Sequence, residues 1–554
     1  MSSNKNLSPV ERIKTASDAL RGTLEQSLEN DLTGALYEDD QSLIKFHGLY
    51  QQDDRDRRAE RSARKLEWLF SYMIRLRLPG GLLTPQQWKG LHHVAGEHST
   101  GVIKITTRQT VQLHGILKSA IKPTIKSFDT LHLDSIAACG DVNRNVTCSA
   151  HPRQSSIHEQ VFRYADRISE MALPKTNAYY EIWLDQEKIA DKKQEEDPLY
   201  QDRYLPRKFK IGIAIPPNND IDVFSNDVGL IAVIENNELK GFNIAAGGGL
   251  SSTHGNAATY ARTATILGFV DTEEKVLKAV YEIITIQRDF GNRSDRKLAR
   301  LKYTIDTMGV EGLKKELESR CGFALQTARP FTFTERRDYY GWEQDYKGNW
   351  HFTLFVENGR VVDESAPLKS GLLAVAESGK AVFRFTGNQN VIISDVQPED
   401  YEEINALLES YGLIAHTKNA GAMRKNAMAC VAFNTCPLAL AEAQRYLPIL
   451  IDKIEPILSR HALDHEEITI RMTGCPNGCG RSPLAEIGLV GTGYGQYNLH
   501  IGGDRLGERL NKKYRDSLDE SAILLELDDL FGRYSSGRKQ HETFGDFVMR
   551  EKLV

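Results

Sequence analysis

Seven cysteines occur in the 554 residues, and four of them fall into two close pairs. Cys430 and Cys436 bracket Val-Ala-Phe-Asn-Thr. Cys475 and Cys479 bracket Pro-Asn-Gly, and 38 residues separate the pairs. Four thiolates brought together are soft, charged ligands suited to an iron–sulfur centre or to zinc. The first pair is spaced loosely for a compact zinc knuckle, so three chemistries stay open: an iron–sulfur cluster, a structural zinc and plain buried thiols. Pro476, Gly478 and Gly480 permit a tight turn at the second pair and close approach of backbone to a ligand. Cys139, Cys148 and Cys321 lack such a partner and read as structural.

A second set of residues is cationic. Arg75 and Arg77 share one parity in the strand-like run LFSYMIRLRLPGG, and Lys104 and Arg108 stand in GVIKITTRQTVQLHG, which reads as one strand. Arg144 lies in DVNRNVTCSA. Lys208 and Lys210 flank Phe209 in RYLPRKFKIGI, so an extended backbone places both ammonium groups on one face. Each alone is ordinary strand-rim charge. Together they can line one anion cavity, where they stabilise an oxyanion and the lysines supply protons. Arg288, Arg293, Arg296, Lys297, Arg300 and Lys302 form a further cationic field, suited to a small acidic cofactor or to RNA. Gly247, Gly248 and Gly249 allow close backbone approach, but no G-x-G-x-x-G fingerprint marks a nicotinamide-nucleotide site.

These residues need a scaffold, and a repeat supplies it. GVIKITTRQTVQLHG echoes KAVFRFTGNQNVIIS, with Lys104 opposite Arg384, Gln109 opposite Gln389 and Val111 opposite Val391, always 280 residues apart. Arg144 and Arg424 stand at the same separation. A duplicated α+β module with pseudo-twofold symmetry follows, and an interface between two halves readily encloses a cofactor. SSIHEQVFRYADRISEMAL reads as an amphipathic helix, AYYEIWLDQ and FKIGIAIPP as strands, WHFTLFVENGRVV as a hairpin, and PLALAEAQRYLPILIDKIEPILSRHAL as helical with breaks at proline. DKKQEEDPLYQDRYLP reads as a surface loop and YQQDDRDRRAERSARKLEW as a charged helix.

The whole chain excludes some classes. A net charge of -5 gives no argument for nucleic acid or membrane. The absence of a long apolar run or secretory pattern, with few cysteines for the length, points to a reducing cytoplasm.

The runs NAMACVAFNTCPLALAEAQRYLP and TGCPNGCGRSPLAEIGLVG resemble the cluster-binding half of the sirohaem nitrite and sulfite reductases. IKFHGLYQQDDRDRRAER, RLRLPGG, NRNVTCSAHP, YLPRKFKIGIAIPPNNDID, GGGLSSTHGN and YNLHIGGDRLGERL extend the resemblance over roughly residues 45–510. Within the family it is strongest to the haemoprotein (beta) subunits of assimilatory NADPH-dependent enzymes. The resemblance implies an α+β fold with duplicated ferredoxin-like half-modules and two mixed α/β catalytic-body domains. It divides the chain into an arm (1–66), a first half-module (67–140), a central sirohaem and substrate domain (141–335), a second half-module (336–412) and an iron–sulfur and sirohaem domain (413–554). It implies sirohaem coupled to a 4Fe–4S cluster held by Cys430, Cys436, Cys475 and Cys479, with Cys479 also bridging to the sirohaem iron. Arg75, Arg144, Lys208 and Lys210 would bind sulfite during its six-electron reduction to sulfide. Lys104, Arg108, Arg293, Arg296, Lys297 and Lys302 would meet sirohaem carboxylates, although the family carries Arg where this chain has Lys104. Electrons would come from a separate NADPH-oxidising flavoprotein subunit in a hetero-oligomer. A ferredoxin-fed sulfite reductase and a sirohaem nitrite reductase are the neighbouring alternatives, and a zinc-structured binding protein is the alternative of another class.

Overall fold

The hairpin of Ile103–Ile105 and Val111–Ile116 sits at the centre of the first of four five-stranded sheets formed by the described residues. The structure is a computed structural model and describes residues 7–186 and 196–554. The first sheet runs in the order Leu49–Asp53, Phe70–Arg75, Val111–Ile116, Ile103–Ile105 and Arg360–Val361, all antiparallel. The second repeats it as Gly341–Gln344, Trp350–Leu354, Val391–Val396, Val382–Phe385 and Leu82–Leu83. Each half-module lends its short strand to the other's sheet, so neither sheet is complete alone.

Helices Pro85–His98 and Ile121–Thr130 accompany the first sheet, and Leu368–Ser378 and Tyr401–Ser410 the second. Strands Val111–Ile116 and Val391–Val396, and helices Ile121–Thr130 and Tyr401–Ser410, keep the 280-residue offset. Thr84, Pro85 and Gln87 start the first helix with a complete capping box, an arrangement worth about 1 kcal/mol. Trp88 on that helix stacks on Phe383 of the opposite half-module, with centroids 4.6 Å apart.

The third and fourth sheets share one topology. Thr147–Cys148, Ile211–Ala214 and Val228–Glu235 are parallel, and Glu238–Ala246 and Thr265–Val270 follow antiparallel. Ala427–Ala429, Ile470–Thr473 and Ile487–Gly493 are parallel, and Gln496–Ile501 and Lys512–Leu518 follow antiparallel. One apolar core joins the first three sheets, and a separate core surrounds the fourth.

Several local expectations change. GVIKITTRQTVQLHG is a hairpin, not one strand: Gln109 at φ 51° turns the chain, and Arg108 stands at the tip. AYYEIWLDQ contains the helix Ala178–Trp183, because Tyr179, Ile182 and Trp183 bury a helical stripe rather than alternate faces. WHFTLFVENGRVV is not a hairpin. Asn358 and Gly359 at φ 50° and 69° redirect the chain, so Arg360–Val361 joins the first sheet. The run after Cys436 becomes helical only at Leu447–Arg460, with Pro456 inside. Before it, Leu440 and Ala441 N–H donate to the Gly474 carbonyl and Gln444 N–H to that of Cys430, which ties the backbone to the cysteine segments instead. The charged run after Leu49 is a helix only in part: it begins as the strand Leu49–Asp53, and a 3-10 turn at Arg55–Arg57 leads into the short helix Arg58–Ala63. The proposed loop at 191–206 lies partly outside the described residues.

Candidate active site

The cysteine pairs follow the ends of the first two strands of the fourth sheet. Cys430 follows Ala427–Ala429, and Cys475 and Cys479 follow Ile470–Thr473. The Gly474 N–H donates to Cys430 Sγ at 3.3 Å, and Asn477 donates to Cys475 Sγ at 3.4 Å. A Cβ on Gly474 would lie 2.6 Å from Ala432 Cβ and from the Ala441 carbonyl, so this position requires glycine. Arg55 of the N-terminal arm donates to the carbonyls of Cys436 and Ala439 at 2.9 and 2.8 Å, fastening the first pair's loop.

The four sulfurs act on one another. Burial and the neighbouring Cys479, Cys436 and Cys475 push Cys430 up; burial, Cys479 and Cys475 push Cys436 up to about 11. Four clustered thiolates are therefore unfavourable without a cation to bind them. Among the described residues no group of three or more His, Cys, Asp or Glu side chains is arranged to hold a single metal ion.

Cys479 faces a recess of cations. Burial pushes Lys208 down to about 7, with Arg207, Arg300 and Arg144 adding to the fall and the Cys479 thiolate opposing it. Burial, Lys208, Arg300 and Arg108 push Lys210 well down. Arg207 falls to about 10 through burial and Arg296. All three side chains keep some solvent contact while lying deep among protein atoms, as walls of a recess do. Among the described residues, the side chains of Arg207, Lys208 and Lys210 have no hydrogen-bond or ion-pair partner. Like charges gathered this way mark a place prepared for anions.

Arg108 reaches the recess from its hairpin tip. It donates to Asn226 Oδ1 at 2.8 Å and to the Asn145 and Ile211 carbonyls at 2.5 and 2.8 Å, all neutral acceptors, while its Nε is buried without a partner. Burial and Arg481 lower it to about 9. Arg75 and Arg144 meet at the 138–140 turn. Arg75 donates to Cys139 Sγ at 3.1 Å and to the Ala138 carbonyl at 3.3 Å; Arg144 donates to the Gly140 carbonyl at 2.9 Å. Arg77 turns away to pair with Asp134 at 2.7 Å, so it does not accompany Arg75.

The remaining cations singled out from the sequence, Lys297 apart, are engaged. Arg293 pairs with Glu11 of the arm. Arg296 grips Asp141 through both nitrogens at 2.7 and 2.9 Å, at the edge of the recess beside Arg207. Lys297 is exposed. Lys302 is buried and clasped by the carbonyls of Gly249, Ser251 and Tyr260, which fixes the glycine-rich loop. That loop touches the second cysteine pair: Ser252 N–H donates to the Pro476 carbonyl at 2.9 Å. Lys104 is buried and donates to the Asn358 carbonyl.

Sequence reasoning passed over several residues here. Arg207 adjoins the two lysines in the same basic run. Arg300 stood in the cationic field, but its partner was not legible: Asp227 accepts from it at 2.8 Å and from the Lys210 N–H at 2.9 Å. Tyr50 and Cys139 both face Arg144. Arg481, two residues beyond Cys479, pairs with Asp222 at 2.9 Å and donates to the Thr107 carbonyl, joining the cysteine turn to the tip that carries Arg108. A polar cavity of about 680 Å³ lined by Arg337, Arg505 and Arg509 holds none of the predicted residues. Its arginines are already paired with Glu335, Glu467 and Asp546.

The ferredoxin-like half domain of nitrite/sulfite reductases matches residues 70–130 and 343–411, and the nitrite and sulphite reductase 4Fe-4S domain matches residues 164–325. A sulfite reductase (NADPH) hemoprotein beta-component of Leptospira biflexa is 61% identical over 99% of this chain and 99% of its own. Proteins of that description from Staphylococcus haemolyticus and Bacillus subtilis are 51% and 50% identical, over 100% and 99% of this chain and 96% of theirs. The chain belongs to this family. The solved Mycobacterium tuberculosis NirA protein shares the fold, with TM-score 0.80, 24% identity and coverage of 100% of this chain and 98% of that one. The α+β expectation with ferredoxin-like half-modules therefore holds. The family's 4Fe-4S domain match falls on the third sheet's region, which lacks the cysteine pairs; the fourth sheet repeats its topology and carries them. No helix among the described residues is long and apolar enough to cross a membrane.

Proposed function

We propose that this chain reduces sulfite to sulfide at a sirohaem joined to a 4Fe–4S cluster. Cys430, Cys436, Cys475 and Cys479 are its cluster ligands, and electrons arrive from a separate NADPH-oxidising flavoprotein subunit in a cytoplasmic hetero-oligomer. One observation carries the reading: four cysteines whose thiolates repel one another open, at Cys479, onto a recess where the side chains of Arg207, Lys208 and Lys210 have no carboxylate partner among the described residues. The donor set suits the two groups. Thiolates need cationic iron, and free cations with the orphaned Arg108 Nε suit a polycarboxylate macrocycle and an anionic substrate. The chain divides into an arm (1–66) that lends Leu49–Asp53 to the first sheet, a first half-module (67–140), a central sirohaem and substrate domain (141–335), a second half-module (336–412) and an iron–sulfur and sirohaem domain (413–554).

When bound, the paired centres supply the electrons and an open iron position for the substrate sulfur. The chain's own residues do the rest. Arg75 and Arg144, held by the 138–140 turn, stay charged and orient sulfite oxygens. Lys208 and Lys210 Nζ are the proton donors, because their lowered pKa values make transfer to oxygen feasible as each S–O bond breaks and water leaves. Asp227 fixes the Lys210 backbone and neutralises Arg300, so the lysines remain the reactive charges.

The test is anaerobic purification, an absorption spectrum, and iron and acid-labile sulfide analysis. Reductant-driven assays with sulfite and nitrite at matched concentrations follow. Chlorin bands, cluster iron and faster turnover of sulfite are expected. Zinc at the cysteines, or faster turnover of nitrite, would overturn the corresponding part.

A further inference from the structure

Lys104 differs from the other cations of this region. It stands on Ile103–Ile105 between Gln112 and Arg360 in the sheet register. It is 3% exposed, its ammonium donates to the Asn358 carbonyl, and the described residues give it no carboxylate partner. Its counterpart 280 residues on, Arg384, is neutralised: it donates to the Ser394 hydroxyl at 2.9 Å and pairs with Asp395 at 2.9 Å. The repeat keeps a buried cation in both halves and supplies an anion in only one.

The first cysteine pair's loop covers the uncompensated one. The Asn358 side-chain amide donates to the Gln444 carbonyl at 3.2 Å, and the Gln444 N–H donates to the Cys430 carbonyl at 3.1 Å. On the same sheet face, His114 lies 3.4 Å from the Thr435 hydroxyl and 3.3 Å from Gln112, the cross-strand neighbour of Lys104. Cys430, once deprotonated as a ligand, is the group whose charge would support the ammonium against burial. A buried ammonium without an anion is strongly disfavoured. A cluster with four thiolates is negative and becomes more so on reduction, and its potential follows nearby charge.

We propose that Lys104 is the counter-cation of the 4Fe–4S cluster, raising its reduction potential from the Cys430 side, rather than a partner of a sirohaem carboxylate. The assignment rests on Cys430 being a cluster ligand, as in the proposed function.

The experiment is an EPR-monitored redox titration of the purified holoenzyme and of Lys104→Gln, Lys104→Met and Lys104→Arg, after iron and labile-sulfide analysis. Gln can keep the bond to Asn358 without the charge. In Lys104→Gln and Lys104→Met the cluster midpoint should move negative, so that the reduced-to-oxidised ratio at the wild-type midpoint falls at least about threefold. Lys104→Arg should keep it near wild type. Loss of cluster from Lys104→Gln and Lys104→Met but not from Lys104→Arg also supports a charge role. An unchanged midpoint in cluster-replete Lys104→Gln overturns the proposal, whether or not sirohaem is lost, and so does cluster loss in all variants. A wild-type protein without a 4Fe–4S cluster sinks the proposed function itself, which is a separate result.

Discussion

The side-chain amide of Gln109 donates to the Phe385 carbonyl at 3.0 Å, and that of Gln389 donates to the Ile105 carbonyl at 3.2 Å. Each acceptor is the other's counterpart under the repeat, so the two bonds are images of one clasp. Both glutamines are buried and left-handed, at φ 51° and 72°. Gly81 and Gly359 pack against them, and the exchanged strands Leu82–Leu83 and Arg360–Val361 follow directly. The clasp fixes the hairpin tip that aims Arg108 into the recess.

Gly359→Ala should therefore be costly. A Cβ there would lie 2.3 Å from the Ile105 carbonyl, at φ 69°. Strain at positive φ costs about 1 kcal/mol, and a backbone collision adds to it, so a loss of roughly 3 kcal/mol is expected. Gly379→Ala is the control: φ is 72°, but nothing lies within 4 Å, so only the first part applies. Thermal melts of both variants should show the larger fall for Gly359→Ala.

Asp227→Asn should destabilise the recess. The carboxylate accepts from Arg300 Nε and Nη2 at 3.2 and 2.8 Å and from the Lys210 N–H at 2.9 Å. Its neutralisation leaves Arg300 buried and unpaired among like charges, which costs about 3–5 kcal/mol. Denaturant unfolding would measure the loss. Arg300→Met in the same background should restore part of it, because the orphaned charge is gone.

The cysteine spacing and the alternation of basic residues were legible because both follow from local chain geometry. The 280-residue echo also made the duplication legible. Three things were not. The exchange of Leu82–Leu83 and Arg360–Val361 is non-local and leaves no periodic trace. The helix Ala178–Trp183 is too short for its period to stand out from β-forming Tyr, Ile and Trp. The engagement of Arg293 by Glu11 and of Arg296 by Asp141 depends on where the arm lands, which charge patterns alone do not determine.

Arg144 and Arg424, counterparts under the repeat, are held differently in the two halves. Arg144 is held by carbonyl oxygens, Gly140 at 2.9 Å and Ala138 at 3.5 Å, so its charge remains available. Arg424 is paired with Glu357 at 2.6 Å, Asp452 at 2.5 Å and Glu455 at 3.3 Å. Arg144→Lys keeps the charge but loses the planar fork, and kcat/KM for sulfite should fall on the order of 10²-fold. Arg424→Lys should leave the kinetics unchanged and cost about 1 kcal/mol of stability. Reductant-driven assays and melts on both variants would test the contrast.

Lys208 should make stability and function respond oppositely to pH. Burial, with Arg207, Arg300 and Arg144, lowers it to about 7 against the pull of Cys479. In the unfolded chain it titrates at about 10.4. Between those values the unfolded chain holds the extra proton, so folded stability rises with pH through that window. Below about 7 both states are protonated and the whole destabilisation remains. Cofactor-free Lys208→Met should therefore melt higher than wild type at pH 7, with a smaller gain between pH 7 and 9. In the proposed function sulfite binding needs the ammonium, so wild-type affinity should weaken as pH rises above the group's pKa in the loaded site, while Lys208→Met binds weakly with a flatter profile. A Lys208→Met protein that melts lower at pH 7, or that keeps the wild-type pH profile of sulfite binding, would show that this ammonium is not an uncompensated charge facing the substrate.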